Sequence, residues 1–89
     1  MPKRVDANQA AMVKALRQAG LHVMHLHTLG KGVPDLLVTK GPRMVLVEVK
    51  DGKGKLTPDE IEWHAAFPDD GPVVIARSVE DVLAWFGIV

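Results

Sequence analysis

Between Gly32 and Lys50 the chain reads Gly-Val-Pro-Asp-Leu-Leu-Val-Thr, a basic turn Lys40-Gly41-Pro42-Arg43, and then Met-Val-Leu-Val-Glu-Val-Lys. Two aliphatic runs of strand length, split by Gly-Pro, predict a β-hairpin with its tip at residues 40–43. The charged exceptions constrain it most. Asp35 opens the first run, and Glu48 and Lys50 close the second. Ionisable groups in segments that otherwise read as buried are costly unless they are paired or hold a metal. Side chains alternate along a strand, so Glu48 and Lys50 share one face and Val49 takes the other. A hairpin sets the start of its first strand against the end of its second, so Asp35 is expected beside Glu48 and Lys50.

Two carboxylates and an amine at one spot suit a particular chemistry. Paired carboxylates are hard oxygen ligands for Mg²⁺, which keeps several waters and draws further ligands from substrate phosphates; the Val49 carbonyl is a candidate neutral donor. A cation held there polarises a phosphoryl oxygen and lowers the pKa of bound water. Lys50 is then placed to orient that water or to offset charge on the phosphorane. Each piece also has a purely structural reading. Glu-x-Lys is a common edge-strand charge pair, and Pro34-Asp35 can be a turn with a local side-chain cap. Their combination, Pro-Asp at one strand start and Glu-x-Lys at the other strand end, favours the site.

These residues carry a resemblance. Gly32-Val33-Pro34-Asp35-Leu36-Leu37, then Leu46-Val47-Glu48-Val49-Lys50, then Leu56-Thr57-Pro58-Asp59-Glu60-Ile61-Glu62-Trp63-His64 together resemble the VRR-NUC family of the PD-(D/E)XK nuclease superfamily, in particular its small stand-alone phage and bacterial members. The likeness runs from about residue 4 to the end of the chain. It implies a restriction-endonuclease-like core, Asp35 and Glu48 as metal ligands with Mg²⁺ or Mn²⁺ as cofactor, and Lys50 as the catalytic lysine. Glu60 stands where the family usually carries the glutamine of a Leu-Thr/Ser-x-x-Gln pattern. Asn8-Gln9 also resembles the small phage members, whose first helix borders the active site.

Around this hairpin the order reads helix, strand, strand, strand, helix, strand, helix (αβββαβα), an α/β fold with a mixed sheet flanked by helices. The first helix is expected from about Ala7 to Ala19, with Asp6 as N-cap, Gln9 at the capping-box position and Gly20 as terminator. Met12, Val13, Leu16 and Ala19 form its apolar stripe. Leu21 to His27 alternates as a strand, Met24 and Leu26 on one face, His25 and His27 on the other. A zinc site from His22, His25 and His27 is disfavoured, because His22 points away from the other two and no cysteine completes the set. His27, just before Gly30-Lys31-Gly32, is a candidate to contact a phosphate or water near Asp35, or else ends the strand in solvent.

Lys31, and Lys53 and Lys55 of the Asp51-Gly52-Lys53-Gly54-Lys55 loop, are candidate contacts to a nucleic-acid backbone, since lysines neutralise phosphates without reading sequence. Thr57, Pro58 and Glu60 mark a capped helix start, with Leu56 stapled to Ile61. Glu60 can therefore be a cap, a neighbour of the lysine, or both. Ile61, His64 and Ala65 are expected on one helix face. Pro72 to Ala76 suits a buried central strand reached by a parallel crossover, and Ser78 with Asp81 caps a last helix packed by Val79, Val82, Leu83 and Phe86.

Composition narrows the rest. Eighty-nine residues make one domain, 1–89, with a modest core. With no cysteine, disulfides and thiolate metal sites are excluded. No apolar run nears the ~20 residues of a membrane span, nor is there the apolar core of a secretory signal, so a cytoplasmic protein is expected. Eleven basic and eleven acidic residues leave no net charge, so any phosphate contact is expected to be local, with assembly by more than one subunit as one route to it. The apolar end Trp-Phe-Gly-Ile-Val suggests self-association. The expectation is a metal-dependent DNA endonuclease, a homodimer selective for branched DNA such as four-way junctions. Its rival is a non-catalytic DNA-binding or protein-interaction module.

Overall fold

In a computed structural model, which describes residues 7–88, the elements are α1 (Ala7–Gln18), β1 (His22–His25), a 3₁₀ turn (His27–Leu29), β2 (Leu36–Lys40), β3 (Arg43–Val49), α2 (Pro58–Ala66), β4 (Val73–Ala76) and α3 (Val79–Trp85). The Asp6 cap and the basic residues before it lie outside the described residues.

The hairpin turns on Gly41-Pro42, with Lys40 opposite Arg43 and Leu36 opposite Val47. Gly41 has φ 59°, the left-handed conformation that a two-residue hairpin loop requires and a side chain resists. β1 adds antiparallel to β2 and β4 adds parallel to β3, giving a mixed sheet in the order β1-β2-β3-β4. The chain is thus an α/β protein. β4 is an edge strand, not the central one its apolar run suggested, and Ile75 on it is 41% exposed. β3 is flanked on both sides, so the strand bearing Glu48 is interior.

Alternation sorts the hairpin. Leu36, Val38, Val45 and Val47 are all 0% exposed, and they join Met12, Val13 and Leu16 of α1 and Val82 and Phe86 in one cluster. Each such side chain contributes about 1.5–3 kcal/mol of burial. α1 stops in a Schellman motif: Gly20 takes φ 93°, its amide donates to the Arg17 carbonyl, and the Leu21 amide donates to the Leu16 carbonyl. Ala19, expected in the stripe, is exposed.

β1 is shorter than its alternation implied. Leu26 turns out of the strand (φ −114°, ψ 1°) and His27 opens the 3₁₀ turn, so Leu26 and His27 do not continue the two faces. His22 and Met24 are the exposed pair of β1, Val23 and His25 the half-buried one. The β1 edge is partly blocked by Arg17, whose Nη2 donates to the Val23 carbonyl at 3.0 Å. Arg43 grips the far end of α3, donating to the Phe86 and Trp85 carbonyls at 3.1 and 3.2 Å with its guanidinium 4.6 Å above the Trp85 ring. Trp85 is packed this way. Among the described residues no helix is long and apolar enough to cross a membrane.

Candidate metal and phosphate site

Parity on β3 sends Val47 and Val49 into the apolar core and Glu48 to the opposite face. Antiparallel pairing of Leu36 with Val47 puts Asp35, the residue before β2, level with Glu48. Both carboxylates are buried, Asp35 at 6% and Glu48 at 1% exposure. Asp35 Oδ2 accepts a 2.8 Å hydrogen bond from the Val49 amide, which ties the start of β2 to the end of β3. The hairpin therefore does bring the two acids together.

Burial, then a hydrogen bond and charge repulsion from Asp35, then repulsion from Glu60 push the Glu48 carboxyl up to about 9, with Lys50 pulling weakly the other way. Glu48 Oε1 is buried with no hydrogen-bond partner.

Lys50 continues the β3–β4 ladder through its amide, which donates to the Ala76 carbonyl at 3.0 Å. Its Nζ lies 2.7 Å from Glu60 Oε1. Glu60 also accepts from the Thr57 amide at 2.8 Å while Thr57 Oγ1 accepts from the Glu60 amide, a complete capping box. Glu60 is thus both the cap of α2 and the partner of Lys50. Burial raises its carboxyl, but hydrogen bonds from Lys50 and from the Thr57 backbone outweigh this, and the net shift is downward.

α2 turns Glu60 and His64 inward beside two aromatic rings, with Asp59 and Glu62 left in solvent. Ile61 is 56% exposed and Ala65 also faces solvent, whereas Glu60 is buried and Trp63, His64 and Phe67 are half-buried. Of the expected Ile61–His64–Ala65 face only His64 turns inward, joined by Glu60, Trp63 and Phe67 in the i, i+3, i+4, i+7 set. The inward side thus carries two ionisable groups and two aromatic rings. His64 Nε2 stands 3.8 Å from Glu48 Oε1. The sequence places His64 only on a helix face with Ile61 and Ala65; its spacing of four from Glu60 is the signal for its place beside Glu48. Gly32 lets this happen, because a Cβ on it would overlap the Asp59 carbonyl and the Glu60 amide nitrogen at the head of α2.

The remaining candidates sit further out. Lys31, Lys53 and Lys55 are exposed. Lys31 has φ 57°, held left-handed between two glycines, and borders a cavity of about 390 Å³ with Asp59, Glu62 and Trp63. The loop carrying Lys53 and Lys55 is braced by Arg77, another residue the sequence did not single out, whose Nη1 donates to the Gly52 and Gly54 carbonyls at 2.8 and 2.9 Å. Val49 contributes its amide to Asp35. Gln9 is buried at 7% exposure. His27 packs edge-on against His25, ring centroids 5.4 Å apart, and lines a groove with Lys14 and Arg17 of α1. The structure places it beside α1 and next in the chain to Leu26, whose amide donates to the Asp35 carbonyl at 2.7 Å.

Among the described residues no three histidine, aspartate or glutamate side chains form a ready-made metal cage. Mg²⁺ rarely uses one: one or two carboxylates with waters and substrate phosphates is its usual shell. Asp35 and Glu48 fit that donor count, and the unpartnered Glu48 Oε1 is a buried acceptor that a cation would satisfy. Comparison of the chain with protein-family models, with curated proteins and with solved structures returns no match.

Proposed function

We propose that this chain is a divalent-metal-dependent nuclease that hydrolyses DNA phosphodiester bonds on a restriction-endonuclease-like core of VRR-NUC type. The observation that carries the reading is the convergence of Asp35, Glu48 and Lys50 at the open ends of β2 and β3, with Glu48 buried and lacking a donor for Oε1. The element order and the antiparallel hairpin running into a parallel crossover also agree with such a core.

Asp35 and Glu48 would hold Mg²⁺ or Mn²⁺, with the Val49 carbonyl as a further oxygen donor. When bound, the ion supplies Lewis-acid polarisation of the phosphoryl oxygen and acidifies water. Lys50 orients the attacking water and offsets charge that develops on the phosphorane. Glu60 keeps Lys50 aimed, since its own carboxylate is anchored by the Thr57 cap. Lys31, Lys53 and Lys55 neutralise backbone phosphates on either side. A neutral 89-residue protomer has little area for reading bases, so selectivity rests on DNA shape presented to a homodimer, as at a four-way junction.

The rival is a non-catalytic DNA-binding or protein-interaction module. It is favoured by the internal satisfaction of the charges: Lys50 is paired with Glu60, and Asp35 is bonded to the Val49 amide. Incubation of junction, duplex and single-stranded DNA with Mg²⁺ or Mn²⁺ separates the two. The nuclease reading expects cleavage that falls by about 10³-fold or more in Lys50→Ala and Asp35→Asn with folding intact. Binding without cutting, indifferent to both substitutions, establishes the module.

A further inference from the structure

His64 is the inward-facing ionisable group of α2 that the scheme above leaves without a role. Its Nε2 is buried and has no hydrogen-bond partner, and the same holds for Glu48 Oε1, 3.8 Å away. Each atom is thus turned toward the other across a gap too wide for a hydrogen bond. Two donors about 2.1 Å from one ion stand about 3.0 Å apart when adjacent and about 4.2 Å when opposite on an octahedron, and the 3.8 Å gap falls between these limits. The ring is also held. Trp63 packs edge-on against it with centroids 5.2 Å apart, and Trp63 is stacked on Phe67 at 4.8 Å. The imidazole enters from a helix tied to the same site by Glu60 and Lys50, so α2 positions both side chains together.

We propose that His64 is a nitrogen donor to the divalent ion held by Glu48, and that it makes this centre select a transition-metal ion such as Mn²⁺ over Mg²⁺. The inference rests on the metal-site reading above and deepens it. Mg²⁺ is a hard ion that prefers oxygen, and it gains little from an imidazole, whereas first-row transition ions accept nitrogen readily. A neutral imidazole also adds no charge to a pocket that already contains three carboxyl groups.

The test reads the ligand directly. Mn²⁺ is titrated into the full chain at pH 7.5 and followed by isothermal calorimetry and by electron-spin-echo spectroscopy, which detects ¹⁴N coupled to the bound ion. Nitrogen modulation is expected in the unaltered chain and is absent in His64→Asn and His64→Gln, two variants of similar size whose fold is checked by circular dichroism. Mn²⁺ affinity in both falls by about tenfold or more while Mg²⁺ affinity changes by about threefold or less. Bound Mn²⁺ without nitrogen modulation, lost on Glu48→Gln, overturns the His64 assignment and leaves the carboxylate centre standing. Mn²⁺ binding that ignores Glu48→Gln, or no binding, overturns both.

Discussion

Val47 and Glu48 are consecutive residues of β3 and are equally shut away from water, at 0% and 1% exposure. On one face of the strand Val47 meets Leu36 and the apolar side chains of α1 and α3. On the other, Glu48 meets Asp35, with Glu60 and His64 arriving from α2. The same burial has opposite consequences. Removing methyl groups from water stabilises the fold, whereas removing a carboxylate without a donor for Oε1 destabilises it and shifts the group toward its protonated form. The core face explains why the chain folds, and the acidic face is a cost that a stability-only sequence would not carry.

The largest test of this contrast is Leu36→Ala. Leu36 is 0% exposed at the centre of the apolar face, and its truncation should lower unfolding free energy by about 3 kcal/mol in urea denaturation. A loss near zero would mean that the apolar face does not dominate.

Glu48→Gln should move the other way. In the folded chain Glu48 holds its proton up to about pH 9, while the unfolded chain releases it near the ordinary value of 4.5. The folded state binds more protons across that window, so this group's contribution to stability is full below pH 4.5 and is lost as pH rises toward 9. Glutamine removes the loss, and thermal melts at pH 8 should show a gain of about 1 to 2 kcal/mol over the unaltered chain. Millimolar Mn²⁺ should stabilise the unaltered chain by about 1 kcal/mol and leave the variant unmoved. A destabilised Glu48→Gln would break the contrast.

The smallest effect belongs to the hinge between the two faces. Thr57→Ala removes the hydroxyl half of the α2 cap and should lower stability by about 0.5 to 1 kcal/mol. Glu60, whose carboxyl is pulled downward, contributes stability above its ordinary pKa that is lost on acidification, opposite in sign to Glu48. Comparing melts at pH 4 and pH 7 in the Thr57→Ala background sharpens which of the two acids governs each side of the pH profile.

Local rules carried much of this molecule. Gly41-Pro42 between aliphatic runs implied the hairpin, period-two alternation implied that Glu48 leaves the core that Val47 enters, and Thr57-Pro58 with Glu60, like Ser78 with Asp81, announced helix starts that the capping boxes realise. Each depends on residues a few positions apart, whose backbone geometry is set by their own side chains. What the sequence left open depends on chain segments meeting at a distance. The apolar run Val73–Ala76 does not say whether another strand lies beyond it, and β4 proved to be an edge. The His25–His27 alternation could not show that the strand ends at Leu26. The helical pattern of α2 put Ile61 on the inward face with His64; the structure keeps His64 there but sets Glu60, against Lys50, in place of Ile61. A helix alone has no inside, because only packing against the sheet decides which stripe is desolvated, and here that stripe holds Glu60 against Lys50 while Ile61 stays 56% exposed.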